Sequence, residues 1–455
     1  MPVNNENAKI IPSHLGFGFL WAVNFSGFQS VALFPDATEN PGIVNEFFMI
    51  SVTVSIVSHF ILAFSYLKHP QVLANIPPIA IACLLSLGYA CVGLSALLGE
   101  AQQPVLVAGS FIHGITYAWL NIMWIGCFSL MPSEQSSISI VSSFTISIPL
   151  YFFITLSTSF FSLPGTILSL ILITVSGFAL DRSLSLPHNS QMLAPLPQEF
   201  PSREARQIRH LLWPLVLSAC VLSLVYAFTD WVTVTTTNHF ILVHQIALAL
   251  CFFAFLILLI YIRTSKNRVN VDGIVRVSLI LIAIGCLLLP CLDGLTQMWT
   301  TILVALGYNI FDCLVHMRTA EISYEHRVCG SVVYGFVRGA IVACFGIGAL
   351  VGFSAKDLDM NLAVIVMISI ILLYLVAVAA STIHRRKRLP YDIEDTSADE
   401  IINHDSFTSE YSEAYDRKIT YATNKYGLTR REIDVFILLA RGRSLCLISE
   451  ELMLS

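Results

Sequence analysis

Twelve runs of about 20 mainly apolar residues recur along this chain of 455 residues, and nothing else in the sequence restricts its fold as strongly. A helix of that length matches the hydrocarbon thickness of a bilayer. In lipid the backbone must satisfy its own polar groups, and a continuous apolar run does so only as a helix. Soluble chains carry about 25% charged residues. Here the charged share is 12%, with 56% hydrophobic residues and a mean hydropathy of +0.74. The sequence therefore predicts an all-α polytopic membrane protein. The spans of the first half are Leu15–Phe34, Val44–Tyr66, Pro78–Leu98, Val105–Leu130, Ile138–Phe161 and Leu163–Leu180. Those of the second are Leu211–Thr229, Phe240–Ile262, Val275–Leu292, Met298–Met317, Val332–Phe353 and Leu362–Ile383. The first run is too long for a cleavable signal peptide and continues into the polytopic pattern.

Loop charges predict the orientation. Alternate connections carry Lys68, then Arg182, Arg203, Arg206 and Arg209, then Arg263, Lys266 and Arg268, then Arg318 and Arg327. Arg385, Arg386, Lys387 and Arg388 follow the last span, and the opposite set of loops carries only Lys356. Positive residues stay on the cytoplasmic side. Both termini are therefore expected in the cytoplasm, with the chain in a bacterial inner (plasma) membrane. The 385–388 run is expected to anchor on lipid headgroups, a membrane-lipid partner. The 11 cysteines include no C-x-x-C pair and read as small buried hydrophobes. No metal site is expected.

Six spans (residues 11–180), a basic connector (181–210) and six more spans (211–384) resemble the major facilitator superfamily in layout. The resemblance implies two six-helix halves around a central cavity. The Gly-x-x-x-Asp-Arg-x-Gly-Arg loop of that family is replaced by Tyr66-Leu67-Lys68-His69-Pro70-Gln71.

Ionisable groups at membrane depth are costly, so they mark function. Span four carries His113, Tyr117 and Asn121 at i, i+4 and i+8, with Trp124 adjoining. Span ten carries Asn309, Asp312 and His316 at i, i+3 and i+7, with Tyr308 beside them. Each set is one stripe on one helix face, and the resemblance places both against the cavity. Asn24, Tyr226 and Arg338 complete the candidate ligand-binding set. Asp312 and Arg338 lie at similar depth and are expected to pair, either for helix packing or to bind an anion or gate the helices. The isolated His59, His113 and His244 read first as packed polar residues. Gly335 and Gly339 form a small-x-x-x-small pattern for close helix packing. Pro149 and the Pro77-Pro78 pair are expected to kink or start helices.

Residues 385–425 read as a charged, largely acidic linker. Beyond it, Thr429 and Glu432 form a capping box, and Ile433, Phe436, Ile437 and Ala440 follow as an apolar helical stripe. Gly442 stands at a C-cap position, and Ser444 and Ser455 offer further N-caps. Residues 426–455 are similar to the DNA-binding domain of LuxR-type regulators, at Gly427, Leu428, Thr429, Arg431, Glu432, Val435, Leu438, Leu439, Ala440, Gly442, Ser444, Ile448, Leu452 and Ser455. Leu445-Cys446-Leu447 departs from that family's polar segment. The resemblance implies a partial helix-turn-helix whose recognition helix would begin at Ser455. DNA is therefore an expected partner if the chain continues past that residue, bound by a homodimer.

No phosphate loop, His-Glu-x-x-His or nucleophile elbow occurs, so neither an enzyme nor a cofactor is expected. The sequence reads as a membrane-embedded one-component transcription regulator that senses a small-molecule ligand in a transporter-like cavity. The alternative reading is a major-facilitator-type secondary transporter of a small organic molecule.

Overall fold

The computed structural model describes residues 11–30, 41–69, 75–95, 102–161, 165–185, 202–234, 240–264, 271–290, 294–355 and 362–385. It also describes positions 73, 98, 429, 432, 433 and 435. The chain divides into two units, Met1–Arg386 and Lys387–Ser455. Among the described residues there is no strand. After a short 3-10 turn at Pro12–Leu15 come α1 (Gly16–Phe28), α2 (Pro41–Lys68), α3 (Pro78–Ser95), α4 (Gln102–Phe128), α5 (Ser133–Phe161) and α6 (Gly165–Leu184). The second half holds α7 (Ser202–Val234), α8 (Phe240–Thr264), α9 (Val271–Leu288), α10 (Gly294–Glu325), α11 (Gly330–Ala355) and α12 (Leu362–Arg385).

A helix stands at each of the twelve predicted positions. Nine of them, α2 to α8 with α10 and α11, are long and apolar enough among the described residues to cross a membrane. Pro41 and Pro78 open their helices, where a missing N–H costs nothing. Pro149 and Pro214 lie inside α5 and α7. Large apolar side chains point outward around the bundle, among them Phe178, Phe253, Ile257, Ile370 and Tyr374. A belt of that kind is unfavourable in water and suits lipid.

The two halves repeat one packing plan. In the first, α1 packs on α5 and α6, α3 packs on α4 and α6, and α2 packs on α4. In the second, α7 packs on α11 and α12, α9 packs on α10 and α12, and α8 packs on α10. Adding six to each helix number turns one set into the other. Contacts across the halves obey the same rule: α2 on α11 is matched by α8 on α5, and α5 on α10 by α11 on α4. This is the pseudo-two-fold of an internal repeat.

Backbones approach closely where the halves meet. Gly335 of α11 sits against the His59 carbonyl of α2, where a Cβ would come within 3.1 Å of the oxygen and 2.8 Å of the Ala63 methyl. Gly339 faces the Phe60 ring one turn along. The small-x-x-x-small pattern therefore packs α11 on the opposite half.

The turn from α10 into α11 sets the register of these two helices. Arg327 adopts φ 52°, Val328 N–H donates to the Ser323 carbonyl at 3.0 Å, and Arg327 N–H donates to Tyr324 at 3.2 Å. That is a Schellman end with arginine in the position that usually takes glycine.

In the second unit, Thr429 N–H and the Thr429 hydroxyl both donate to Glu432 Oε2, at 2.8 and 2.7 Å. The Ile433 N–H donates to the Thr429 carbonyl at 2.9 Å. The Glu432 arm of the expected capping box is thus present. Its carboxyl is held below the usual carboxylate range by the Thr429 backbone and hydroxyl donors. Arg431, Gly442, Ser444 and Ser455 lie outside the described residues, as does the rest of the expected helix-turn-helix apart from positions 429, 432, 433 and 435.

Candidate functional site

Three rings spaced four apart on α1, Phe17, Trp21 and Phe25, form a buried stripe at the boundary between the halves. Trp21 meets Phe144 of α5 at 4.8 Å and His316 of α10 at 5.5 Å between centroids. Phe17 meets His316 at 5.8 Å, and Phe144 meets Phe255 of α8 at 5.4 Å. The centre of the bundle is therefore lined by aromatic rings from both halves.

A polar network is set into that lining. Arg338 of α11 pairs with Asp312 of α10, and the two side chains are only 11% and 4% exposed. The expected pairing is present, and both partners belong to the second half. On its other side the guanidinium carbon lies 5.6 Å from the Trp21 ring centroid, a cation–π contact across the half boundary. His316 Nδ1 lies 2.7 Å from the Asp312 carbonyl. A carbonyl only accepts, so Nδ1 carries the hydrogen. Nε2 lies 2.8 Å from the Tyr334 hydroxyl, which donates to it when the ring is neutral. Asn309 donates to the Ala305 carbonyl of its own helix at 2.8 Å.

The α4 stripe is built otherwise. His113 Nε2 lies 3.1 Å from the Tyr89 hydroxyl of α3, and its ring stacks on Tyr117 at 5.5 Å and meets Phe47 at 5.0 Å. Asn121 donates to the Tyr117 carbonyl at 3.1 Å. His113 Nδ1, the Tyr117 hydroxyl and Asn121 Oδ1 are buried and make no hydrogen bond of ordinary geometry. Trp124 donates to Ser176 of α6 at 3.1 Å and packs on Phe17 at 5.9 Å, so its indole is tied into the first half.

The other candidates lie elsewhere. Tyr226 of α7 stacks on Tyr308 at 4.5 Å, and its hydroxyl accepts from Gln29, just after α1, at 3.4 Å. Asn24 lies half-buried on α1. His59 Nδ1–H donates to the Ser55 carbonyl at 2.7 Å, while Nε2 is buried without a hydrogen bond. His244, taken alone in the sequence, lies 3.2 Å from Asp230 of α7. Sequence reasoning also missed Trp21 and Tyr89, for which an aromatic four-spacing on α1 and a lone Tyr in α3 were the available signals.

The halves touch on both sides of the network. Toward the basic loops, Gly126 of α4 contacts the Ser331 hydroxyl, Gly330 contacts the Ser129 hydroxyl, and Ser331 donates to the Ile122 carbonyl at 3.4 Å. Toward the other end, Phe48 of α2 meets Trp231 of α7 at 5.2 Å and Phe345 of α11 at 5.8 Å. No group of three or more His, Cys, Asp or Glu side chains among the described residues is arranged to hold a metal ion.

No family model and no curated relative matches the chain. Solved structures do. A bacterial homologue of the iron transporter ferroportin, outward-facing with soaked iron, aligns over 85% of this chain and 100% of its own at 13% identity and TM-score 0.57. The major facilitator superfamily transporter FucP in its outward conformation aligns over 82% and 99% at 12% identity and TM-score 0.51. The human organic anion transporter MFSD10 (TETRAN) aligns over 83% and 100% at 13% identity and TM-score 0.53. The fold is the major facilitator fold. At these identities the likeness concerns architecture alone, and the major facilitator arrangement agrees with the six-helix repeat in the packing.

Proposed function

We propose that the chain is a secondary transporter of a small organic solute, with twelve spans (residues 11–384), a cytoplasmic connector (181–210) and both termini cytoplasmic in the inner membrane. The observation that carries this reading is the repeat itself. Two equivalent halves meet around a buried polar network and touch on either side of it, the arrangement alternating access requires. Separation toward the basic loops would break the Gly126–Ser331 and Gly330–Ser129 contacts, and separation at the other end would break those of Phe48. The Asp312–Arg338 pair lies within one half and is carried intact through either motion. It therefore serves as a binding or packing element and not as a gate. Vesicles containing the purified chain test this with panels of labelled sugars, amino acids, nucleobases, amines and carboxylates. Time-dependent, saturable uptake of one class is expected, and none from any class would sink the reading.

A second reading, a transporter-fold sensor coupled through linker 385–425 to a LuxR-type domain (426–455), rests on the sequence resemblance of residues 426–455. In it, ligand would act only by binding two bundle states unequally. Its test is sequence-selective DNA binding by the chain extended past Ser455, with and without ligand. Failure to select any site would remove it.

A further inference from the structure

The central network limits the charge of what it can hold, an argument that rests on the transport reading above. Arg338 pairs with Asp312, and His316 Nδ1 lies 3.9 Å from the same carboxylate. His59 and His316 are buried, and that carboxylate is already paired with Arg338, so the low-dielectric surroundings favour the neutral imidazoles. Among these groups only Asp312 and Arg338 carry charge, and they cancel. A solute with net charge would bring into this buried place a charge with no counterpart, which low-dielectric surroundings disfavour strongly.

The network also indicates the solute's shape. Arg338 rests on Trp21, which belongs to the other half. When the halves part, the guanidinium loses its ring and the indole loses its cation. A flat π system entering the gap restores both contacts, one on each face. On α1, which carries Trp21, and on α2 and α4, both packed on α11, the Trp21 Nε1–H, the Tyr117 hydroxyl, Asn121 Oδ1 and His59 Nε2 are buried without hydrogen bonds of ordinary geometry. They supply one donor, two acceptors and one group able to do either. Buried polar atoms without partners are costly, and a ligand with matching groups relieves the cost.

We propose that the solute is a planar aromatic molecule of zero net charge, neutral or zwitterionic, inserted between Trp21 and Arg338 and hydrogen-bonded at its edge by Tyr117, Asn121 and His59.

The test measures thermal stabilisation and binding on the full chain in lipid nanodiscs. The probes are indole, free tryptophan, hypoxanthine and benzamide (net-neutral aromatics), tryptamine and benzamidine (cations), indole-3-acetate and benzoate (anions), and glucose and cyclohexanol (neutral, not aromatic). Binding is expected from at least one net-neutral aromatic, with its singly charged counterpart weaker by roughly tenfold or more, the scale of an uncompensated buried charge. Trp21→Leu should weaken that binding by roughly tenfold and Trp21→Phe by much less, since phenylalanine keeps the π face. Asp312→Asn should shift preference toward the anions by freeing Arg338. If this last variant does not fold, the wild-type panel and the Trp21 pair still decide. An anion or cation that binds as tightly as the neutral aromatic, or a panel in which no neutral aromatic binds, overturns the proposal. Vesicle uptake of glucose or benzoate in preference to the neutral aromatics would also overturn it, while leaving the transport reading standing. Absence of uptake of every class would remove the transport reading first.

Discussion

The polar stripes of α4 and α10 hold matching places in two halves that repeat one packing plan, yet they are satisfied in opposite ways. On α10, Asp312 has Arg338, and His316 has the Asp312 carbonyl on one nitrogen and Tyr334 on the other. On α4, His113, Tyr117 and Asn121 each keep one buried polar atom without a hydrogen bond of ordinary geometry. The hydrogen bonds and ion pair of the α10 stripe close within its own half, and the α4 stripe is left open. A repeat therefore fixes where side chains stand without fixing their chemistry, and the half with unspent hydrogen-bonding capacity is the one that the proposed solute would engage.

The contrast breaks most visibly at the ion pair. Arg338→Leu leaves the Asp312 carboxylate buried and alone, and should lower stability by about 3–5 kcal/mol in denaturant unfolding of the detergent-solubilised protein. The double substitution Asp312→Asn with Arg338→Leu should recover most of that loss. A double variant as unstable as the single one would mean that the pair is not what the second half is closed upon.

The tyrosines sharpen the comparison at a smaller scale. Tyr334→Phe strips the His316 Nε2 of its donor and should cost about 1–3 kcal/mol. Tyr117→Phe removes at most a weak side-chain contact to Asn121 and should change stability by less than about 0.5 kcal/mol, while weakening solute binding. Equal losses of stability at the two positions would erase the difference between the stripes.

A third effect belongs to the first half alone. His14, just ahead of α1, lies 3.0 Å from the Ser139 hydroxyl of α5, and the Ser143 hydroxyl donates to its carbonyl at 3.0 Å. Burial lowers its pKa from 6.5 to about 4. Between those values the unfolded chain takes up a proton that the folded imidazole refuses, so stability falls as pH drops from 6.5 toward 4. His14→Gln should flatten that part of a melting-temperature profile, and an unchanged slope would assign it to other groups.

The smallest effect lies in the second unit. Thr429→Ala removes a donor to Glu432 and should speed amide exchange at Ile433 in the full chain. Because the Glu432 carboxyl is held low by those donors, the cap should persist at neutral pH and loosen only as pH falls through that depressed value.

Helix positions were legible because a run of apolar residues reports the lipid directly. Helix ends were less so: α10 continues past the predicted Met317 to Glu325, carrying Arg318 and Glu321 paired at 2.5 Å beyond the apolar run. Hydropathy detects the membrane and not the end of hydrogen bonding. The Asp312–Arg338 pair was readable from depth alone, since neither charge is tolerable unpaired. Trp21 was not, because in a helix apolar on every side no periodicity singles out the face that meets the other half. Nor were the partners of His316, a carbonyl and a hydroxyl that a one-dimensional pattern does not bring together.

The coupling of Asp312 to Arg338 within one half has an electrical consequence. A single charge driven through the membrane potential exchanges about 2.3 kcal/mol per 100 mV. A carboxylate and a guanidinium fastened to the same body travel as a dipole with no net charge. In the proposed transport cycle, reorientation of the empty bundle would thus move no gating charge at this depth, and the resting voltage of the cell would neither propel nor arrest it there.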